Sequence, residues 1–332
     1  MSPFDQWTTG LEVVHKHRDR IEGKRIAITG PTLGSIGGEV VLALAEANPA
    51  QLFILARSDT KADAVIAEFK QRQTRGSTEV HFVPCNLADL DSVRRAAAQI
   101  RIQALDGKLD VLFNNAGVHL IYPYRTTAQG FEYHFGVNHY SHFLLTAELW
   151  PLLRKAGEEA AVVTTSSTGC QMTPMLWDEI SVVPHWSDGE SYQPWFGYSI
   201  SKLANSLFSV GLAARSAAAG IPIKTFAVQP GQPKTRLWDG VKDEGPTSVM
   251  EAFRLGKDGP LANYDMASDE KTVEQASSTL LAAAFDPSLK HISGRFLRNC
   301  AEYPVAAFAL DKDDAHRLWA LSEAAVGQKF DM

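Results

Sequence analysis

Residues 25–37, RIAITGPTLGSIG, decide the fold. Arg25–Thr29 is a short apolar run that stops at Gly30, and helical spacing takes over through residues 38–47, GEVVLALAEA. A buried strand, a glycine turn and a helix in that order open a dinucleotide-binding βαβ unit. Gly30 permits the tight turn, Gly34 lets the backbone approach a pyrophosphate, and Gly37 allows the helix to pack close to the strand. Phosphates would then meet the free N–H groups and positive end of the helix. Thr29, Gly30, Gly34, Ser35, Ile36 and Gly37 are the candidate contacts of this turn.

Outward from the turn, strand and helix patterns alternate. Strands are predicted at 51–56, 80–83, 109–113, 160–164 and 223–228, and helices at 61–71, 91–103, 133–149 and 198–215. The order implies an α/β fold, a Rossmann-like doubly wound parallel sheet. No Pro/Gly/Ser-rich linker divides the 332 residues, so one domain over 1–332 is expected, with its core at 23–235. The pattern breaks down over 237–268, where glycines and prolines mix with Trp238, Met250, Phe253 and Tyr264. That composition suits a substrate lid, with Trp238, Met250 and Phe253 facing the pocket. Helices and a last strand fill 271–330, the helix at 271–284 and the strand at 292–297.

Composition narrows the function classes. Net charge is -6, which disfavours a nucleic-acid surface, since phosphate binding needs clustered Lys and Arg. The three cysteines, Cys85, Cys170 and Cys300, are an odd set without a CxxC pair, as in a reducing compartment. No apolar run is long enough for a membrane span, and the N-terminus lacks a signal-peptide core. A cytoplasmic protein with a short, solvated amphipathic lead-in carrying His15 and His17 is expected.

The chemistry lies further along. Arg57 ends the second strand, where an NAD-selective site would carry a carboxylate for the ribose 2′-OH. A guanidinium matches a phosphate with paired hydrogen bonds, so NADP(H) is expected, although Asp59 lies two residues on. Tyr198 and Lys202 are spaced i, i+4 and share a helix face. A neighbouring ammonium would pull the phenol pKa down and make the pair an acid–base device. Ser166 and Ser167 close the fifth strand, at the carboxyl end where such folds place ligands. Asn114-Asn115-Ala116-Gly117 closes the fourth strand, and Asn138 sits mid-helix, a poor place for Asn unless its side chain has a task.

TGPTLGSIG, NNAG, Asn138, Ser167, the Tyr198…Lys202 pair and Pro230-Gly231 occur in the order found in the short-chain dehydrogenase/reductases, and the chain resembles that family from about residue 23 to 296. GYSISKLANSLF, residues 127–146, KTVEQ and SGRFL resemble its retinol-dehydrogenase-like branch, which includes WW-domain oxidoreductases and soluble fungal enzymes. The resemblance implies that Tyr198 is the general acid–base, that Lys202 holds the nicotinamide ribose, that Ser167 orients the carbonyl and that Asn138 places a water. Asn115, Ala116 and Gly117 would border the adenosine and ribose, Asn86 and Leu87 would lie near the adenine, and Pro230, Gly231 and Thr235 would flank the nicotinamide. Three positions depart from the family pattern: the glycine turn is one residue longer, Asn86 stands where Asp is frequent, and Gln229 replaces His before Pro230.

An NADP(H)-dependent reductase of a ketone or aldehyde, running also as an alcohol dehydrogenase, is the reading these residues support best. Its substrate would be small, apolar, aromatic or of secondary metabolism. A cofactor-sensing scaffold without turnover, and epimerisation or elimination through transient hydride transfer, are the alternatives. Relatives suggest a homodimer or homotetramer. His139 and His142 read as packing or capping groups rather than metal ligands, because no carboxylate or Cys completes a set. Cys170 is a candidate pocket residue, and Trp177, Trp186 and Trp195 could shape the entrance.

Overall fold

The computed structural model describes residues 2–73, 76, 78–177, 192–233 and 270–332. Thr235 and the expected lid with Trp238, Met250 and Phe253 lie outside the described residues, as does Trp186.

Before the sheet come α1 (Gly10–Lys16) and α2 (Arg18–Ile21). The strands are β1 (Arg25–Thr29), β2 (Gln51–Ala56), β3 (Glu79–Pro84), β4 (Val111–Asn114), β5 (Ala161–Thr165) and β6 (Lys224–Gln229), then the two-residue β7 (Gln232–Pro233) and β8 (Glu270–Lys271), and β9 (Phe296–Arg298) and β10 (Ala301–Glu302). Between and after them run α3 (Ile36–Leu44), α4 (Asp59–Arg72), α5 (Leu90–Gln103), the short α6 (Tyr133–Phe135), α7 (Ser141–Ala156), α8 (Pro194–Ala218), α9 (Val273–Phe285) and α10 (Lys312–Val326).

One sheet has the order β10-β9-β6-β5-β4-β1-β2-β3. Every pairing in it is parallel except β9 with β10. The chain walks outward from β1 through β2 to β3, then returns to the other side of β1 as β4. Strand order therefore reverses between β1 and β4, and a crevice opens at their carboxyl ends. Strand side chains alternate between two cores. Ala27, Phe53, Leu112 and Val162 pack toward α5, α7, α8 and α10. Ile26, Ile54, Val111 and Val163 pack toward α1, α3, α4 and α9. Burial on both faces explains why the strands read as continuous apolar runs.

Three expectations shift. The predicted helix over 133–149 is α6, a π-turn at Gly136–Tyr140 and then α7. Tyr198 lies a full turn inside α8, which starts at Pro194. The last strand falls at Phe296–Arg298 rather than 292–297, because Pro287–Ile292 forms a 3₁₀ helix. A hairpin then leads to β10 through Asn299 and Cys300, both at positive φ.

The lead-in is not simply solvated. Thr9 and Glu12 form a reciprocal cap on α1, which buries Val13 and Val14. A Cβ at Gly10 would fall 2.1 Å from Ser277 Oγ, so glycine is what lets α1 lie against α9. His17 packs edge-on to Phe4, and burial pushes its pKa down.

Candidate active site

A cavity of about 580 Å³ opens at the carboxyl ends of the strands. One part of its wall is the glycine turn. Gly30 has φ 66°, and a Cβ there would approach the Ala116 Cβ to 2.7 Å. Gly34 has φ 74° with open space before it. A Cβ at Gly37 would fall 2.4 Å from Asn115 Nδ2, so that glycine makes room for the loop after β4. A Cβ at Gly38 would lie 2.0 Å from the Thr32 carbonyl, so that glycine lets the turn fold back against the start of α3. Ser35 caps α3: its Oγ accepts from Gly38 N–H at 3.1 Å and donates to the Thr32 carbonyl at 2.7 Å. The hydroxyl is thereby occupied in shaping the turn, and α3 presents its N-terminal end to the cavity.

Arg57, Thr60 and Lys61 line the cavity at the end of β2 and the start of α4. Arg57 was expected there; Lys61 was not singled out. The signal was available, since a residue four positions on from Arg57 at the head of a helix can reach back to the same ligand.

Asn115, Ala116 and Gly117 line the middle. Thr29 is 1% exposed and does not line the cavity. Its Oγ1 accepts the backbone N–H groups of Asn115 and Ala116, each at 3.0 Å, while Asn115 Nδ2 donates to the Thr29 carbonyl at 2.9 Å. Asn138 is likewise fully buried. Its Oδ1 accepts from Val118 N–H at 2.8 Å, and its Nδ2 donates to the Val118 carbonyl and to Ser201 Oγ. Asn86 is exposed, accepts from Ala88 N–H, and lies with Leu87 off the cavity wall.

Ser166, Ser167, Tyr198 and Lys202 meet at the other end, with Pro230 and Gly231 beside them. The two serines divide the work. Ser166 Oγ donates to the Lys202 carbonyl at 2.7 Å and so ties β5 to α8. The Ser167 hydroxyl stands with the Tyr198 phenol on the cavity wall and accepts from Gly169 N–H at 3.1 Å. Lys202 Nζ donates to the Thr165 carbonyl at 2.9 Å.

The electrostatics differ from the expectation that Lys202 pulls the phenol pKa down. Burial pushes Tyr198 up to about 12, against the lowering effect of the Ser167 hydroxyl. Burial likewise pushes Lys202 down to about 8. Desolvation disfavours each charged form more than the pair compensates. Tyr198 therefore holds its proton near neutrality.

His119 and Trp195 complete this end of the wall. The His119 ring meets Tyr198 edge-on at 4.4 Å and Trp195 at 5.5 Å. Burial, with His134 and Lys202 adding to it, pushes His119 down to about 3, so it faces the cavity uncharged. Its only sequence signal was a place two residues past the NNAG loop. Cys170 does not line the cavity: it is fully buried, with its thiol pushed up to about 12. Trp177 lies off the wall too, under the Arg317 guanidinium. His139 bonds Ser322 Oγ at 2.8 Å. Among the described residues, no helix is long and apolar enough to cross a membrane.

Residues 24–178 match the family model of the short chain dehydrogenases. A Streptomyces lividans protein named "Probable oxidoreductase" is 35% identical over 315 residues, covering 90% of this chain and 96% of its own. Human retinol dehydrogenase 12 is 31% identical over 312 residues, covering 94% and 89%. Among solved structures, an uncharacterized protein from Mycobacterium paratuberculosis superposes with a TM-score of 0.68 at 28% identity, covering 94% of this chain and 96% of its own. An NADPH-bound carbonyl reductase from chicken fatty liver shares the fold, with a TM-score of 0.57 at 22% identity over 83% of this chain and 96% of its own. With its Rossmann-type sheet and these relatives, the chain belongs to the short-chain dehydrogenase family, in its retinol-dehydrogenase-like branch, and is an oxidoreductase that uses a nicotinamide cofactor.

Proposed function

We propose that the protein is an NADP(H)-dependent reductase of an uncharged, apolar ketone or aldehyde, reversible as an alcohol dehydrogenase. The observation that carries this is the meeting of Ser167, Tyr198 and Lys202 on the wall of a cavity whose far end holds Arg57 and Lys61.

The cavity suits a dinucleotide. The glycine turn leaves no side chain at Gly34, and α3 points its N-terminus at the space in front of it. Arg57 and Lys61 supply two cations for a 2′-phosphate, one of them with the planar fork that phosphate accepts. Gly117 leaves the room that Asn138 and Lys202 require, since a Cβ there would fall 3.2 Å from Asn138 Oδ1 and 3.3 Å from Lys202 Nζ.

A reduced nicotinamide, when bound, would supply the hydride for the carbonyl carbon. The protein supplies the rest. Ser167 donates to the carbonyl oxygen and orients it. Tyr198 gives its phenolic proton to that oxygen as the C–H bond forms, leaving a phenolate that is reprotonated from solvent. Lys202 stabilises that phenolate and holds the ribose. Asn138 holds Val118, and with it the loop at the ribose. His119, Trp195 and Met172 favour an aromatic or otherwise apolar skeleton.

The test is NADPH oxidation by the purified protein against a panel of apolar aromatic and aliphatic ketones and aldehydes, with Tyr198→Phe beside it. Turnover that collapses in the variant while NADPH still binds supports the assignment. Undiminished turnover in Tyr198→Phe removes the mechanism, and tight NADPH binding without any turnover favours a sensing role.

A further inference from the structure

Thr29 Oγ1 has a third partner besides the N–H groups of Asn115 and Ala116. His142 Nε2 lies 2.9 Å away. Two accepted N–H groups occupy the lone pairs of the hydroxyl, so its own proton is left for an acceptor. The carbonyl of Phe113 is a poor one at 3.5 Å; His142 Nε2 is a good one. The other ring nitrogen, His142 Nδ1, lies 3.0 Å from the backbone carbonyl of Asn138 and can only donate there. Both ends assign the same tautomer, with the proton on Nδ1. The ring is 1% exposed, and burial pushes its pKa down to about 4. It therefore keeps this state near neutrality.

Followed round, these bonds close. His142 accepts from Thr29; Thr29 holds Asn115 and Ala116; the loop runs on to Val118; Val118 is held by the Asn138 side chain; and the Asn138 carbonyl is held by His142. Asn138 itself sits in the π-turn Gly136–Tyr140, a local departure from the α-helical ladder of a kind frequent at functional sites. We infer that His142 is a positioning residue, which closes a hydrogen-bonded ring around residues 115–118 and thereby fixes that loop for the cofactor. The inference rests on the proposed cofactor site and goes beyond it, because His142 touches neither the cavity nor the reacting groups.

A double-mutant cycle on NADPH affinity tests it, with Thr29→Val and His142→Leu measured by nucleotide fluorescence well below each variant's Tm. Each single change opens the same ring, so each is expected to weaken NADPH about tenfold, and the pair no more than about twofold beyond the worse single change. Thr29→Ser keeps the hydroxyl and is expected to stay within about twofold of the wild type. The KM for NADPH is expected to rise while the ketone KM stays put, a split that a loss of folded enzyme, which lowers apparent kcat alone, would not produce. Losses that multiply, or an unchanged affinity in His142→Leu, overturn the inference and leave the proposed function standing. A wild-type protein that binds no NADPH overturns both. Should His142→Leu fail to fold, His142→Phe removes the same two bonds with a ring in place, and the Thr29→Val penalty must shrink in that background as well.

Discussion

Lys202 Nζ lies 5.7 Å from the centroid of the Tyr198 ring while it donates to the Thr165 carbonyl. That carbonyl also accepts from Asn205 Nδ2 at 3.0 Å, so the strand end does not depend on the lysine. The ammonium is held beside the phenol against the preference of its surroundings. Its pKa is about 8 in the fold against an ordinary 10.5. Between those values the unfolded chain binds a proton that the fold does not, so stability rises with pH across that window and Lys202 weighs most against folding below it. Lys202→Met is expected to raise stability near neutrality by about 1–3 kcal/mol, with the gain shrinking as pH climbs from 8 toward 10.5. Chemical denaturation at several pH values checks this, alongside a fall in turnover of about a hundredfold or more.

The same two pKa values shape the rate. Tyr198 keeps its proton well above neutrality, which suits proton donation to a carbonyl. Reduction is expected to be flat through neutral pH and to decline once pH passes about 8, as Lys202 loses its charge. A pH profile of kcat/KM for ketone reduction checks it; a rate rising steadily with alkalinity would contradict the assignment.

Arg57 is exposed at the end of β2, on the cavity wall with Lys61. Arg57→Ala is expected to raise the KM for NADPH by about 10- to 100-fold, the loss of one charge-assisted contact. The KM for NADH should hardly move. Equal losses for both nucleotides would mean that Arg57 does not read the 2′ position.

Glu132 accepts four bonds: from His134 N–H at 3.0 Å, and from His134 Nδ1, Tyr192 OH and Phe135 N–H at 2.7 Å each. Burial pushes its carboxyl up, but His134 and these donors outweigh burial and hold it below the usual 4.5. A depressed carboxylate contributes stability above its unfolded value and loses it as pH falls through the folded one. Acid unfolding is therefore expected to set in below 4.5 and to be less steep in Glu132→Gln. That variant should lose about 2–4 kcal/mol at neutral pH, as one oxygen of a buried acceptor becomes a donor.

Gly197, the residue before Tyr198, faces this cluster. A Cβ there would fall 2.9 Å from Tyr192 OH, 3.1 Å from His134 Nδ1 and 3.2 Å from Glu132 Oε1. Gly197→Ala is expected to cost about 1–3 kcal/mol and, by shifting Tyr198, to lower kcat more than NADPH affinity. Thermal melts and steady-state kinetics separate the two effects.

Much of the site was legible in the chain because its groups recur at short spacing. The glycine turn, the NNAG loop and the Tyr198…Lys202 pair each lie within a few residues, where local geometry alone puts them together. The choice of Ser167 over Ser166 rests on the family match of the flanking segment and not on position, since both follow the end of β5 at Thr165. Lys202 accepts the first through its backbone, and the second is left beside the Tyr198 phenol, whose ionised form it favours. The π-turn at 136–140 was hidden for a similar reason: helical periodicity barely changes across one inserted residue, and the bonds that hold its Asn138 come from Val118 and Ser201.

The sequence alone determined the alternation of strands and helices, the parallel sheet, the cofactor turn and the acid–base pair, because hydrophobic period, glycine placement and i, i+4 spacing are local properties. Only the tertiary structure decided which of these groups face the cavity. It took Thr29 and Asn138 off the wall and made them braces, brought His119, Trp195 and Lys61 onto it, and set the ionisation of Tyr198 and Lys202. Burial and desolvation are sums over neighbours from distant parts of the chain, and no reading of residue order contains them.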